Sequence, residues 1–421
     1  MSTIPPTDQP APASPVATAT PAVRRRRVVL RVLAGVAIGV MLFAMLAATT
    51  SVWFVQRTLP QTTGTLAIKG LGSNVSVVRD TWGVPHITGD DLHDVSFAEG
   101  YVTAQDRLFQ MEFNRRIAQG RLAEMFGAGE DNSVLDTDIL LRTLDLYSAA
   151  RFEEADLDPR TLLMLTAYAD GVNAFLESHR NSLPLEFTIL GITPQKWTPL
   201  DSLAYGRVVA LSLDSTWGAK YSRAMVTNKA GPALASALFP PYPTANPTLF
   251  ASRTTAPPTE IGDASRAAAH DGAGATQALS PNLLKGTRFL GQILGNVRDA
   301  LGSNDWVVDG TRTVSGKPLL ANDPHLGIRM PSVWYEVALR GGGLDAIGFT
   351  FPGEPGIVIG HNDYISWGVT NVDADDTDLY IEHLDPSGHP GKYLLDRAWE
   401  PLQTREQVIH IRGGGSKTIT I

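Results

Sequence analysis

The sequence predicts an α+β protein. It has a mainly helical N-terminal half, a strand-rich C-terminal part and an apolar helix near its start. Three observations carry this expectation. Apolar residues recur at helical spacing between Leu92 and Leu213, short extended runs divided by Gly and Pro follow Ser303, and residues 32–55 hold no charged side chain.

Composition sets the outer limits. With 421 residues, 43% of them hydrophobic, the chain can bury a real core and form two or more domains. A formal net charge of −8 argues against a nucleic-acid partner. There is no cysteine, which excludes disulfides, thiolate catalysis and thiolate metal sites.

Residues 1–31 begin as a Pro-, Ala-, Thr- and Ser-rich stretch and end in the cluster Arg24, Arg25, Arg26 and Arg27. They predict a disordered cytoplasmic tail. Residues 32–55 then predict a transmembrane anchor, since a helix of this length spans roughly 30 Å of hydrocarbon. The arginines stay inside and the rest of the chain lies outside the cytoplasm. The alternative is a signal peptide cut near Ala44–Ala48 and a secreted protein, but the apolar run exceeds the usual length of about 7–15 residues.

Residues 60–254 form the helical region. Leu66–Ile68 and Val75–Val78 read as strands joined by a glycine turn, and Arg79–Ile87 continues extended. Asp91 is an N-cap for a helix running toward Met125, with Gly100 and Gly120 as breaks or points of close packing. Further helices are expected over Pro159–Leu176 and from Pro199 through Leu213. Asp136, Asp138 and Asp145 read as surface charge on this region. Residues 255–302 read as linker, with a weakly amphipathic stretch over Leu283–Leu301. The runs at Trp306–Val308, Leu319–Ala321, Val333–Leu339, Ala346–Phe349 and Ile357–Gly360 predict consecutive strands of one sheet, with Ser303 starting the first. Thr418–Ile421 reads as an isolated terminal strand, the sign of a domain cut short.

Gly302-Ser303-Asn304-Asp305-Trp306 carries the chemistry. A cut between Gly302 and Ser303 would give the serine hydroxyl a free α-amine on the same residue. Such an amine titrates at about 7.7–8.0, the range a general base needs. One residue then supplies nucleophile and base. Alone, the pentapeptide is an ordinary turn sequence.

Further blocks give it context. Gly302–Val308 resembles the processing junction of the penicillin acylase family of N-terminal-nucleophile amidohydrolases. Gly316–Leu326 and Ile359–Asn371 resemble the next two blocks. Asp80–Pro85 with Gly100–Leu108 resembles the start of the family's smaller subunit. Together they cover most of residues 66–421, in the family's order. The resemblance implies a partial αββα sandwich, with 60–254 as an α-subunit-like region, 255–302 as spacer and 303–421 as the start of the β-subunit-like nucleophile domain. It implies autoproteolysis between Gly302 and Ser303, with the two fragments staying associated.

The same resemblance assigns roles. Ser303 attacks a linear N-acyl amide, a small-molecule substrate such as an acyl-homoserine lactone or a β-lactam side chain. His325 either orients the α-amine or donates to the oxyanion. The backbone N–H at Asn371 or Val372 is the oxyanion donor, and a second donor, an asparagine further along the family's β chain, has no match here. Leu326 and Ile359 line the substrate pocket with the segment Val208–Leu213. Asp375, Asp378 and the Thr377 carbonyl match a structural calcium site, although Lys220 stands where an acid from the helical region is expected. No organic cofactor is implied. The alternative is an unprocessed, non-catalytic envelope binding protein of the same fold. A cell-wall enzyme of another family, with Gly302-Ser303 a mere turn, is the further rival.

Overall fold

The computed structural model describes residues 21–213, 216–240, 281–294, 302–371, 377–380 and 382–421. It divides into two compact units, one ending at Leu59 and one beginning at Pro60. The first contains a single described helix, α1 (Pro21–Gln56). Its stretch Val28–Gln56, 29 residues, is long and apolar enough to cross a membrane. Side chains such as Phe43, 73% exposed, find no apolar cover within the unit, unlike those on the inner face of a soluble core helix.

The second unit carries helices α2 (Leu92–Gln119), α3 (Ala123–Phe126), α4 (Ser133–Leu144), α5 (Leu146–Ala155) and α6 (Pro159–Ser178). After them come α7 (Leu185–Leu190), α8 (Pro199–Leu213), α9 (Thr216–Ala230), α10 (Pro232–Leu238) and α11 (Pro281–Leu294). Asp91 caps α2, its carboxylate accepting from the Asp94 N–H at 2.8 Å. Gly120 closes the helix with a left-handed φ of 59°, so α2 stops short of Met125.

Helices α2 and α6 meet backbone to backbone. A Cβ at Gly100 would stand 2.0 Å from the Tyr168 carbonyl oxygen, and one at Gly171 only 1.9 Å from that of Phe97. Two glycines on facing helices therefore set the separation, which lets Tyr101, Ala104, Leu108 and Met111 pack on Tyr168, Ala169, Val172 and Phe175.

Strands β1 (Ser76–Arg79) and β2 (Pro85–Thr88) precede the helices. Those after them are β3 (Gly302–Val308), β4 (Leu319–His325), β5 (Tyr335–Gly341), β6 (Leu344–Thr350), β7 (Ile359–His361), β8 (Ser366–Trp367), β9 (Lys392–Leu395), β10 (Ala398–Pro401), β11 (Glu406–His410) and β12 (Ser416–Thr420). One sheet has the order β1-β2-β5-β6-β7-β8. Its β2–β5 rung is parallel, with His86 beside Ala338 and Ile87 beside Leu339, so the chain before the linker and the chain after it share one sheet.

Polar contacts reinforce this junction. Arg79 forks onto Asp106 at 2.8 and 2.9 Å, and the Tyr335 hydroxyl donates to the same carboxylate at 2.6 Å. The Gly356 N–H donates to Glu99 Oε1 at 2.9 Å, and the Gly353 N–H donates to the Tyr168 hydroxyl at 3.1 Å. Glu99 is fully buried and its Oε2 has no hydrogen-bond partner. Burial pushes this carboxyl up to about 8, against the Gly356 donor, and pushes Glu354 up to about 7.

Several expectations change. Leu66–Ile68 is not a strand; Ile68 packs on the α2–α6 core instead. The strands after Ser303 do not form one sheet. β3 pairs with β4 as a separate ribbon, and the chain turns through Leu326–Trp334 before β5 reaches β2. Strand β12 is not isolated, since it pairs antiparallel with β11. The acids of α4 are not surface charge. Asp136 and Asp138 are buried, with Asp138 accepting from the Leu122 and Ala123 N–H groups at 2.8 and 2.7 Å. Asp145 pairs with Arg405 at 2.6 Å. Those partners lie 15 or more residues away in sequence, beyond the reach of helical periodicity.

Candidate active site

Ser303 is the second residue of β3 and is half-buried. The register sets Gly302 opposite His325 and Ser303 opposite Pro324. Cross-strand partners share a face and successive residues alternate. Ser303 therefore projects on the side of Asn322 and Pro324, while His325 projects with Asp323 on the other. Exposure on β4 follows the same alternation, with Asn322 and Pro324 half-buried and Asp323 and His325 exposed. His325 Nε2 bonds Asp323 Oδ2 at 2.9 Å. The His325 backbone thus flanks the Gly302–Ser303 peptide, and its ring lies on the face of the ribbon opposite the Ser303 side chain.

Asn322 is the residue that motif reading missed. Its Nδ2 donates to the Asn304 carbonyl at 3.3 Å and to the Val369 carbonyl at 3.0 Å, and its Oδ1 accepts from the Val369 N–H at 3.3 Å. A Cβ at Gly368 would lie 2.7 Å from Asn322 Cγ, so only glycine admits this approach. One carboxamide thereby ties strand β3 to the segment that reaches Asn371. A sequence signal existed: an asparagine at an inward strand position, with a Gly-Val pair in the next block. Asn371 is itself anchored, its Nδ2 donating to the Leu213 carbonyl at the end of α8 at 2.7 Å.

Val372 and Asp375 lie outside the described residues. Beyond them, Lys220 Nζ on α9 donates to the Thr377 carbonyl at 2.6 Å and to Asp378 Oδ1 at 2.9 Å. The segment on either side of 372–376 is therefore fastened to the α8–α9 region, once through Asn371 and once through Lys220.

Leu326 packs against a cluster containing Tyr205, Val208 and Phe351, with Leu211 also against it. Trp334 stacks on Phe351 with ring centroids 4.3 Å apart. Ile359 is buried in β7, and its neighbour Val358 is the one that reaches this cluster. Helix α11 joins from the linker: Leu290 is buried in the same cluster, with Phe289, Ile293 and Leu294 against it. Thr137 Oγ1 donates to the Gly286 carbonyl at 3.1 Å, and Arg329 Nη1 donates to that of Ile293 at 3.3 Å. A cavity of about 440 Å³ between α6 and α8 is lined by Met164, Leu203, Arg207 and Glu354, and includes none of Ser303, His325 or Leu326.

Comparison with known proteins gives this arrangement its context. Residues 74–421 match the model of the penicillin amidase family. An acyl-homoserine lactone acylase, QuiP, of Pseudomonas aeruginosa is 35% identical over 84% of this chain and 40% of its own length. A penicillin acylase 2 proenzyme of a Pseudomonas species is 36% identical over 89% of this chain and 46% of its own. Penicillin G acylase of Escherichia coli is 32% identical, covering 83% and 45%. The chain thus spans less than half the length of these relatives. A solved structure of a thermostable penicillin G acylase from Alcaligenes faecalis covers 44% of this chain at 30% identity, with a TM-score of 0.36. The extent of the family match, from β1 to the last residue, establishes that the chain belongs to the penicillin amidase family.

Proposed function

We propose that this chain is an amide hydrolase whose nucleophile is Ser303, exposed by cleavage of its own Gly302–Ser303 bond. The observation that supports it most is the ribbon register, which holds this one peptide beside His325 while Asn322 draws in the segment ending at Asn371. In the first step Ser303 Oγ attacks the Gly302 carbonyl carbon and its proton passes to the departing nitrogen. The resulting ester is hydrolysed by water, leaving a carboxylate on Gly302 and an amine on Ser303. The freed amine then serves as base.

In turnover, Ser303 Oγ adds to the substrate carbonyl as the α-amine takes the proton, through a water. The backbone N–H at Asn371 or Val372 receives the oxyanion, a contribution worth about 10²–10³-fold in such sites. The same proton leaves with the amine, and water repeats the sequence on the acyl-enzyme. Cutting also releases Ser303 from the rung that Gly302 makes with His325, which frees the ribbon end to bring the imidazole to the new amine.

The substrate in this reading is a linear N-acyl amide. The cluster around Leu326, Val208, Tyr205, Phe351 and Trp334 suits an apolar acyl group. Helix α11, inside the spacer, covers that cluster until the spacer is removed. The two fragments stay together through the β2–β5 rung, the Arg79–Asp106–Tyr335 contacts and the Glu99–Gly356 bond. Helix α1 anchors the protein in the membrane with the enzyme outside, following its Arg24–Arg27 flank.

N-terminal sequencing of the mature protein tests this directly. A fragment starting Ser303-Asn304-Asp305 is expected from the wild type, and only intact precursor from Ser303→Ala. Amide hydrolysis by an uncut precursor would overturn the mechanism. Retention of the protein in alkali-washed membranes tests the anchor, and a soluble form lacking α1 would assign a signal peptide instead.

A further inference from the structure

The family resemblance implies calcium at Asp375, Thr377 and Asp378, and the described residues do not fit it. Calcium takes 6–8 oxygen ligands at about 2.3–2.6 Å. Here two of the three expected oxygens, the Thr377 carbonyl and Asp378 Oδ1, already receive the Lys220 ammonium at 2.6 and 2.9 Å. A divalent cation bound to those oxygens would sit against a like charge, on a helix that contributes a cation where it should contribute a carboxylate.

We propose that the Lys220 ammonium is the resident cation of this site. It fastens the chain beyond 376 to α9 and makes the protein independent of calcium. The chemistry is internally consistent. An ammonium has three donors and no acceptor, so it answers a carbonyl and a carboxylate as a small cation does. The Lys220 side chain is 30% exposed against 75% for Asp378, so the carbonyl contact is the sheltered one and the carboxylate contact faces water. Together with the Asn371–Leu213 bond it clamps both described ends of 371–377 to neighbouring helices. Lys220 thus fastens the chain at Thr377 and Asp378 to α9. The inference does not depend on Ser303 being the nucleophile.

The test is thermal unfolding of the full chain at fixed ionic strength, in EDTA, in millimolar calcium chloride and in magnesium chloride. Wild type is expected to melt at one temperature in all three. Lys220→Glu replaces the ammonium with a carboxylate beside Asp378. It is expected to melt about 2–4 °C lower in EDTA and to regain most of that loss with calcium but not magnesium. Lys220→Met, which adds no like charge, should lose a smaller part of the same stability and respond to neither ion. Saturable stabilisation of the wild type by calcium would overturn the proposal. So would a Lys220→Met protein that melts with the wild type, or a folded Lys220→Glu protein that ignores calcium. None of these readouts requires Ser303 to be active, so they separate this proposal from the catalytic one.

Discussion

The α2–α6 core and the β3–β4 ribbon are both built from stretches that match the same family, and they are built in opposite ways. The core is held by glycine-mediated backbone contact and by charges buried with their partners, as at Glu112 and Arg116 of α2. The ribbon is a two-stranded piece whose Trp306 and Val307 are 67% and 72% exposed. Its ties to the rest run through a few side chains, Asn322 foremost. The difference teaches that the N-terminal motifs serve as scaffold in this chain, and under the proposed function the exposed Gly302–Ser303 motif is left to carry chemistry. Substitutions should therefore separate: core changes cost stability first, and ribbon changes cost activity first.

The largest expected effect comes from the ribbon. Ser303→Ala should abolish self-cleavage and lower amide hydrolysis on the order of 10⁴-fold or more, the scale for deleting a nucleophile. Its unfolding free energy from urea titration should stay within about 0.5 kcal/mol of wild-type precursor, as for a substitution that breaks no core contact. A Ser303→Ala protein that is catalytically dead because it is unfolded would break the comparison. The wild type's uncut form, trapped early after synthesis, is the proper reference for the stability measurement.

Next in size is the pH response of the core. Glu99 has an ordinary carboxyl value of 4.5 when unfolded and about 8 when folded. Between these values the native state holds a proton that the unfolded state has lost. Stability is therefore fullest below about 4.5, falls as pH rises through that window, and levels off above about 8, with a slope of at most about 1.4 kcal/mol per pH unit. Glu354, raised to about 7, adds in the same direction over the narrower range. Glu99→Gln keeps the acceptor for Gly356 and cannot ionise. Denaturation curves across this window should be flatter for that variant than for wild type, and equal slopes would refute the assignment.

Gly171→Ala follows. Its Cβ would be driven into the Phe97 carbonyl, and the helices must part to admit it. Overpacking of this kind costs about 1–3 kcal/mol. Because Gly100 faces the same seam, Gly100→Ala with Gly171→Ala should cost less than the sum of the two, the mark of a shared interface. Strict additivity would mean that the two contacts are independent.

Sequence reading reached the elements whose causes are local. Asp91 announces α2, Pro199 announces α8, and the alternation at Thr418–Ile421 announces β12, because caps, proline and period act within a few residues. It did not reach what depends on distant partners. The burial of Asp138 depends on α3, the separation of β3–β4 from the main sheet depends on which edge β5 finds, and Asn322 matters because Val369 comes to lie beside Asn304. Likewise the segment 66–68 has strand composition, and Ile68 is claimed by a helical core instead. Lys220 is an intermediate case. Its sign was visible in the sequence as an odd residue at an acidic position, but its contacts needed the fold.

The smallest predicted effect is the most discriminating for the ribbon. Asn322→Ala removes three hydrogen bonds at once, each long at 3.0–3.3 Å and all on an exposed ribbon. Water replaces long, exposed bonds of this kind at a net cost below the roughly 1 kcal/mol of a typical intramolecular bond, so the melting temperature should barely move. What changes is alignment, since the segment that ends at Asn371 is no longer tied to the strand that carries Ser303. The expected outcome is slower self-cleavage and a kcat lowered about tenfold, with KM little changed, because the apolar cluster around Leu326, the proposed acyl site, is untouched. If KM rises while kcat holds, Asn322 belongs to the binding pocket rather than to the alignment of nucleophile and oxyanion donor. If the protein loses stability on the scale of Gly171→Ala, the ribbon is part of the core after all.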